Sequence, residues 1–233
     1  NYHPDFKTIF PRMWSSKKNH VKAYKEWSEF KGRPVKYRDN QGRTSTINKP
    51  TFVENMRFFF NYQVGWMYFR YFMWNFSGRQ NDHQGHGSFQ DGNWMTGVSF
   101  IDEAHIGNQK EIPEYAVTQK ARNFFFALPF ILGLLGMVFH FRKHSEYAWV
   151  VLLLFFFTGM AIVLYLNQYP FQPRERDYAY AGSFYAFAIW IGFGVLALHD
   201  AARNLNTKEL GQNVAYAIGG GVGLAIIGAM FSG

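Results

Sequence analysis

The 233-residue chain contains no cysteine. That excludes disulfide staples and thiolate chemistry, whether nucleophilic or metal-binding, without placing the chain in a compartment. Acidic residues are scarce where basic ones gather. Residues 1–50 hold twelve Lys and Arg against four Asp and Glu, whereas residues 51–233 hold twelve of each. The whole net charge of +8 therefore lies in the first fifty residues. Such a segment suits anionic lipid headgroups, phosphate-bearing ligands or acidic protein surfaces. Nucleic acid fits less well, because the basic stretch is joined to strongly apolar sequence.

Charge is missing altogether from four stretches: 123–141 (NFFFALPFILGLLGMVFHF), 148–166 (AWVVLLLFFFTGMAIVLYL), 181–198 (AGSFYAFAIWIGFGVLAL) and 213–231 (NVAYAIGGGVGLAIIGAMF) contain no Asp, Glu, Lys or Arg. A helix of about 20 residues crosses the hydrocarbon core of a bilayer. Lipid leaves no partner for an unpaired backbone group, so helices are the expected form. The chain reads as an all-α polytopic membrane protein. A mixed, loop-rich extramembrane segment over 1–121 precedes a membrane domain over 122–233 with four transmembrane helices. The lack of an initiator Met and of a signal sequence, and an end two residues past an apolar run, read as an internal piece of a larger protein.

Within the polar half, "VKAYKEW" reads as a short helix and "VKYRDNQGRTST" as a small hairpin turning at Asn40-Gln41-Gly42. "PTFVENMRFFFNYQVGWMYFRYFMWNF" opens with Thr51 three residues before Glu54, a capping box after Pro50. Arg57, Asn61, Gln63 and Arg70 then interrupt a dense aromatic run. Aromatic residues with basic punctuation favour a helix over 52–76 lying in the membrane interface. A fifth span with two functional arginines is the costlier alternative. Residues 77–121 return to loop character, with six glycines from Gly78 to Gly107. Short links at 142–147, 167–180 and 199–212 make consecutive spans antiparallel neighbours, so 1–121 and 167–180 fall on one side. Basic residues flank both faces almost equally, and the positive-inside bias does not orient the chain.

The candidate chemistry sits in two polar stretches. In "NQYPFQPRERDYAYAGSFYAF", Pro170 and Pro173 end the preceding helix and hold Arg174, Glu175, Arg176 and Asp177 at the membrane surface. The arginines either snorkel to headgroups, with the acids neutralising them, or clamp a phosphate or pyrophosphate. "NFSGRQNDHQGHGSFQDGNW" places Arg79, Asp82, His83, His86 and Asp91 in a glycine-rich loop suited to closing over a ligand. A metal site is disfavoured there, since the His83–His86 spacing is generic and no second pair follows. Gly219 and Gly223 in the last run allow close helix packing. Dinucleotide binding is not indicated without a strand–turn–helix context. His140, one turn from its span's end, reads as interfacial rather than as part of a proton relay.

Taken together, "FPRMWSS…HVKAY", "PTFVENMRFFFNYQ", "MYFRYFMWNFSGRQND", "GHG" and "LYLNQYPFQPRERDYAYAGSFYAFAIWIG" resemble a bacterial membrane family long described only as a domain of unknown function. That family is related to the animal transmembrane O-mannosyltransferase of plexin-type receptors. The resemblance implies a C-type glycosyltransferase helical bundle in the bacterial inner membrane, with 1–121 and 167–180 extracytoplasmic. It implies an enzyme that moves a mannose-like sugar from a polyprenyl-phosphate donor to protein Ser/Thr hydroxyls. The expected partners are that donor, a protein acceptor and membrane lipids, with no nucleic acid and no cofactor. Arg174, Arg176 and Arg79 are the expected donor-phosphate ligands, supported by Glu175, Asp177, Asp82 and His86. The catalytic acid of such enzymes is expected N-terminal to Asn1. The rival readings are a transporter or lipid-linked-sugar flippase, which would place ionisable sites near the bilayer midplane, and an anchoring scaffold subunit.

Overall fold

The computed structural model describes residues 7–38, 41–108 and 112–204, so the apolar run 213–231 and Asn40 of the expected turn lie outside the described residues. The chain is mostly helical. Its elements run α1 (Lys18–Ser28), β1 (Arg33–Arg38), β2 (Thr44–Lys49), α2 (Phe52–Phe58), a π-helical stretch Phe59–Phe69, α3 (Arg70–Phe76), β3 (Gly78–Arg79), α4 (Ser99–Ile106), α5 (Glu114–Val117), β4 (Asn123–Phe124), α6 (Leu128–Lys143), α7 (Ser145–Thr158), α8 (Met160–Leu166), a 3₁₀ turn Asp177–Tyr180 and α9 (Ala181–Asn204). The described residues form two compact units, those up to 68 with 163–175 and those of 69–162 with 176–204.

In the first unit, β1 and β2 pair antiparallel from Arg33↔Lys49 to Arg38↔Thr44, the expected hairpin. The capping box at the start of α2 is formed. Thr51 accepts from the Glu54 N–H, and the Glu54 carboxylate accepts from the Thr51 N–H at 2.7 Å. That carboxylate also takes the N–H groups of Lys31 and Gly32 at 2.6 and 2.8 Å, tying the approach to the hairpin onto the helix. Burial opposes the charge, but the N–H groups of Gly32, Thr51 and Lys31 and the Thr51 hydroxyl outweigh it and hold Glu54 at a pKa of about 2. Around it Tyr24, Phe58 and Tyr62 pack ring against ring at centroid distances of 4.9 and 5.1 Å. Gln63, fully buried on the π-helical stretch, donates to Asn167 Oδ1 and the Gln168 carbonyl, while Tyr62 Oη donates to the Tyr169 carbonyl. These bonds hold the irregular segment that follows α8.

In the second unit, α3 is a core helix. Six of its seven residues are buried, all but Asn75. Phe72, Met73 and Phe76 pack with Phe187 and Trp190 of α9. Helices α6 and α9 cross very closely. A Cβ on Gly136 would run into the Trp190 carbonyl, one on Gly194 into the Leu132 carbonyl, and one on Gly133 into the Phe187 ring. Residues 77–121, expected as loop, include α4 and α5. The apolar run 123–141 is helical only from Leu128, because Asn123 and Phe124 pair with Arg79 and Gly78 instead. The 16 residues of α6 rise about 24 Å at 1.5 Å each. Among the described residues, two helical stretches are long and apolar enough to cross a membrane, Ser145–Leu166 and Asp177–Arg203. Only 11% of the first's most apolar window is buried, against 33% of the second's.

Candidate functional site

The loop after α3 is built before it is charged. Gly78 adopts φ 142°, a region that favours glycine, and a side chain there would strike the Asn123 and Phe124 backbone. Side-chain amides then replace the backbone pairing that so irregular a segment lacks. Gln80 donates to the Phe89 carbonyl and takes both N–H donors of Asn93. Asn81 donates to the Gln90 carbonyl and accepts the Gly92 N–H at 2.8 Å. Asp102, on α4, accepts from the Thr96 N–H, the Thr96 hydroxyl and the Gly97 N–H, which closes the far end.

Arginine and aromatic side chains cluster where this loop leaves α3. Arg70, 2% exposed, donates to the Gly92 carbonyl at 2.7 Å and lies 4.3 and 4.6 Å from the Tyr71 and Trp74 ring centroids. Arg79 lies 4.1 Å from the same Trp74 ring and donates its Nε–H to the Asn81 carbonyl. Trp74 meets Tyr71 edge-on at 5.0 Å, and Tyr71 Oη accepts the backbone N–H of Arg176 at 3.1 Å. Of the three expected phosphate-binding arginines, Arg79 thus stacks on Trp74 and the Arg176 main chain is bonded to the neighbouring Tyr71. Arg176 Nε is buried and has no hydrogen-bond partner among the described residues.

The third, Arg174, is exposed and belongs with half-buried Glu175 to the first unit. Asp177 is exposed at the start of the 3₁₀ turn, and Asp82 and His86 are exposed on the glycine-rich loop. The four consecutive charges at 174–177 are therefore divided between the units after Glu175. From the sequence, Arg70 is an interruption of the aromatic run or one of two functional arginines in a fifth span. Its i, i+1, i+4 spacing with Tyr71 and Trp74 was the available signal.

The same loop walls a cavity of about 430 Å³ lined in part by His83, Phe89, Asp91, Gln119 and Arg122. His83 Nδ1 is 3.4 Å from Asp91 Oδ1. Burial lowers the pKa of the Arg122 guanidinium, with the Asp102 charge opposing that shift. Nearby, burial likewise lowers that of His105, against Asp102, and its ring stacks 4.2 Å from Trp94. Among the described residues, no group of three or more His, Asp or Glu is placed to hold a metal ion.

Residues 1–60 match a family of unknown function (DUF8416), a stretch that takes in α1, the hairpin and the capping box of α2. No curated protein and no solved structure matches the chain.

Proposed function

We propose that the protein is an integral-membrane glycosyltransferase, or part of one, that moves a mannose-like sugar from a polyprenyl-phosphate donor to protein Ser/Thr hydroxyls. The observation that carries this reading is Arg176. It stands just before the 3₁₀ turn that leads into α9, with a buried Nε–H that no described residue accepts. A buried donor on a cation calls for an anionic acceptor. Phosphate at the surface of a bilayer supplies one, and a guanidinium meets it with two parallel N–H donors. Arg79, stacked on Trp74 beside the Tyr71 that holds the Arg176 main chain, is assigned as the second phosphate ligand. Arg174, exposed in the first unit, is assigned on residue type.

The chemistry follows from charge. The acceptor hydroxyl attacks the anomeric carbon and loses its proton to a base outside these residues. The bond from that carbon to the phosphate oxygen breaks, and its electron pair leaves with the phosphate. The leaving phosphate gains charge in the transition state, where fixed guanidinium groups stabilise it most. The outward apolar surfaces of Ser145–Leu166 and Asp177–Arg203 are suited to bacterial inner-membrane lipid. A flippase would require ionisable groups deep in such helices, and residues 148–166 and 181–198 contain no Asp, Glu, Lys or Arg.

The test is transfer of a labelled sugar from polyprenyl phosphate to a Ser/Thr acceptor by the full-length protein in membranes. Lys keeps the charge of Arg but loses its planar fork. At equal abundance, Arg176→Lys and Arg79→Lys should each lower transfer at limiting donor about ten- to a hundredfold, the equivalent of about 1.5–3 kcal/mol. Wild-type rates for both would eliminate the clamp, and no transfer by the wild type would eliminate the enzyme.

A further inference from the structure

The cavity of about 430 Å³ beside the glycine-rich loop falls within the size range of small-molecule sites, about 300–1,000 Å³. Its lining contains one carboxylate, Asp91, and one guanidinium, Arg122, so the wall carries no excess charge of either sign. Gln80 and Asn81 are committed to the loop's own backbone and shape the wall. The groups that face a ligand are others.

His83 stands between Asp91 and Gln119, with Nε2 3.2 Å from Gln119 Nε2. With the amide nitrogen toward the ring, His83 Nε2 accepts in the tautomer that carries its proton on Nδ1, toward Asp91. One end of the Gln119 amide is thereby held. Its oxygen, Oε1, is buried and has no hydrogen-bond partner among the described residues. A buried acceptor left unmet in a polar cavity is a group prepared for a donor that the chain does not supply. At the rim stands Phe89, 71% exposed, an apolar side chain that no described residue covers.

We propose that this cavity is a carbohydrate-binding site for one or two sugar rings. One hydroxyl donates to Gln119 Oε1, and its vicinal neighbour accepts from the same amide's nitrogen, the alternation that a diol offers. The C–H face of the ring lies on Phe89. A neutral, hydroxyl-rich ligand suits a wall of balanced charge, whereas a nucleotide would need an excess of cations. The inference stands on the cavity and does not require the transferase reading.

Saturation-transfer NMR on the full-length protein in detergent, with methyl α-D-mannopyranoside and methyl α-D-glucopyranoside as probes, tests it. The expected result is saturation of ring C–H protons in the wild type. Phe89→Ala, a rim substitution that leaves the Phe89 carbonyl in place for Gln80, should weaken the signal about tenfold, as should Gln119→Leu. Phe100→Ala, an equally exposed aromatic outside the cavity, should not. Displacement of the probe by a polyprenyl-phosphate-linked mannose would identify the donor's sugar as occupant, and displacement by a mannosylated Ser/Thr peptide the acceptor's glycan. Either supports the site. No saturation with either sugar, or wild-type signal in both cavity variants, overturns it. The assay reads no transfer, so its failure leaves the clamp to its own test.

Discussion

A buried arginine shows how single residues make this loop. Arg70 loses its water but regains a carbonyl and two aromatic faces, at 2.7, 4.3 and 4.6 Å. Each desolvated cation–π contact returns up to about 2 kcal/mol. Glu54 solves the opposite problem, an anion held by N–H donors from the chain before the hairpin and from the start of α2. Its pKa is about 2 against an ordinary 4.5. The folded-state value is the lower one, so its stabilisation is fully present above about pH 4.5. It is lost as the pH falls through the interval toward 2. Glu54→Gln should cost roughly 2–3 kcal/mol near neutral pH, since one of its acceptor oxygens becomes a donor facing donors. Denaturation of wild type and variant at pH 7 and pH 3 checks this, and the gap between them should narrow at the lower pH.

Among elements, the crossing of α6 and α9 depends on having no side chain at Gly136 and Gly194. Small residues let helix backbones approach closely, and close approach gains packing contacts. Gly136→Ala sets a methyl against the Trp190 carbonyl, which cannot rotate away as a side chain would. The helices must separate, and we expect a loss of roughly 1–3 kcal/mol, read as a lower unfolding midpoint in detergent. A wild-type midpoint would mean that the crossing is looser than described. Gly78 is constrained locally as well as sterically, so Gly78→Ala should loosen the β3–β4 pairing and the loop after it. Faster amide exchange at Arg79 and Gln80 would report it.

At the scale of the molecule, His144 alone separates α6 from α7, and the two helices pack on one another. The chain therefore doubles back at His144, and the topology we propose sets the loop before α6 and residues 176–180 on one side of the membrane. Because the chain has no cysteine, single cysteines can be introduced on a silent background. Exposed Ser88 and Tyr178 lie on the two loops, both in the second unit. Ser88→Cys and Tyr178→Cys should both react with an impermeant thiol reagent in intact cells, as the extracytoplasmic reading requires. Labelling of one alone would break the shared side, and labelling of neither would reverse the orientation.

Local rules determined much of this protein from sequence. Thr51 and Glu54 specify a capping box wherever a helix begins between them, and the polar sequence Asn40-Gln41-Gly42 specifies a hairpin, because both depend on near neighbours in the chain. Runs without charge determined long apolar helices at 148–166 and 181–198, since composition alone sets their solubility in lipid. Tertiary structure decided what depends on distant partners. Asn123 and Phe124 left the apolar helix because Gly78 and Arg79 offered backbone pairing, and α3 became a core helix because α9 covers it. The grouping of Arg79 with Arg176 rests on Tyr71, about a hundred residues from the latter in sequence. No periodicity encodes such a contact, because it exists only once the chain has folded.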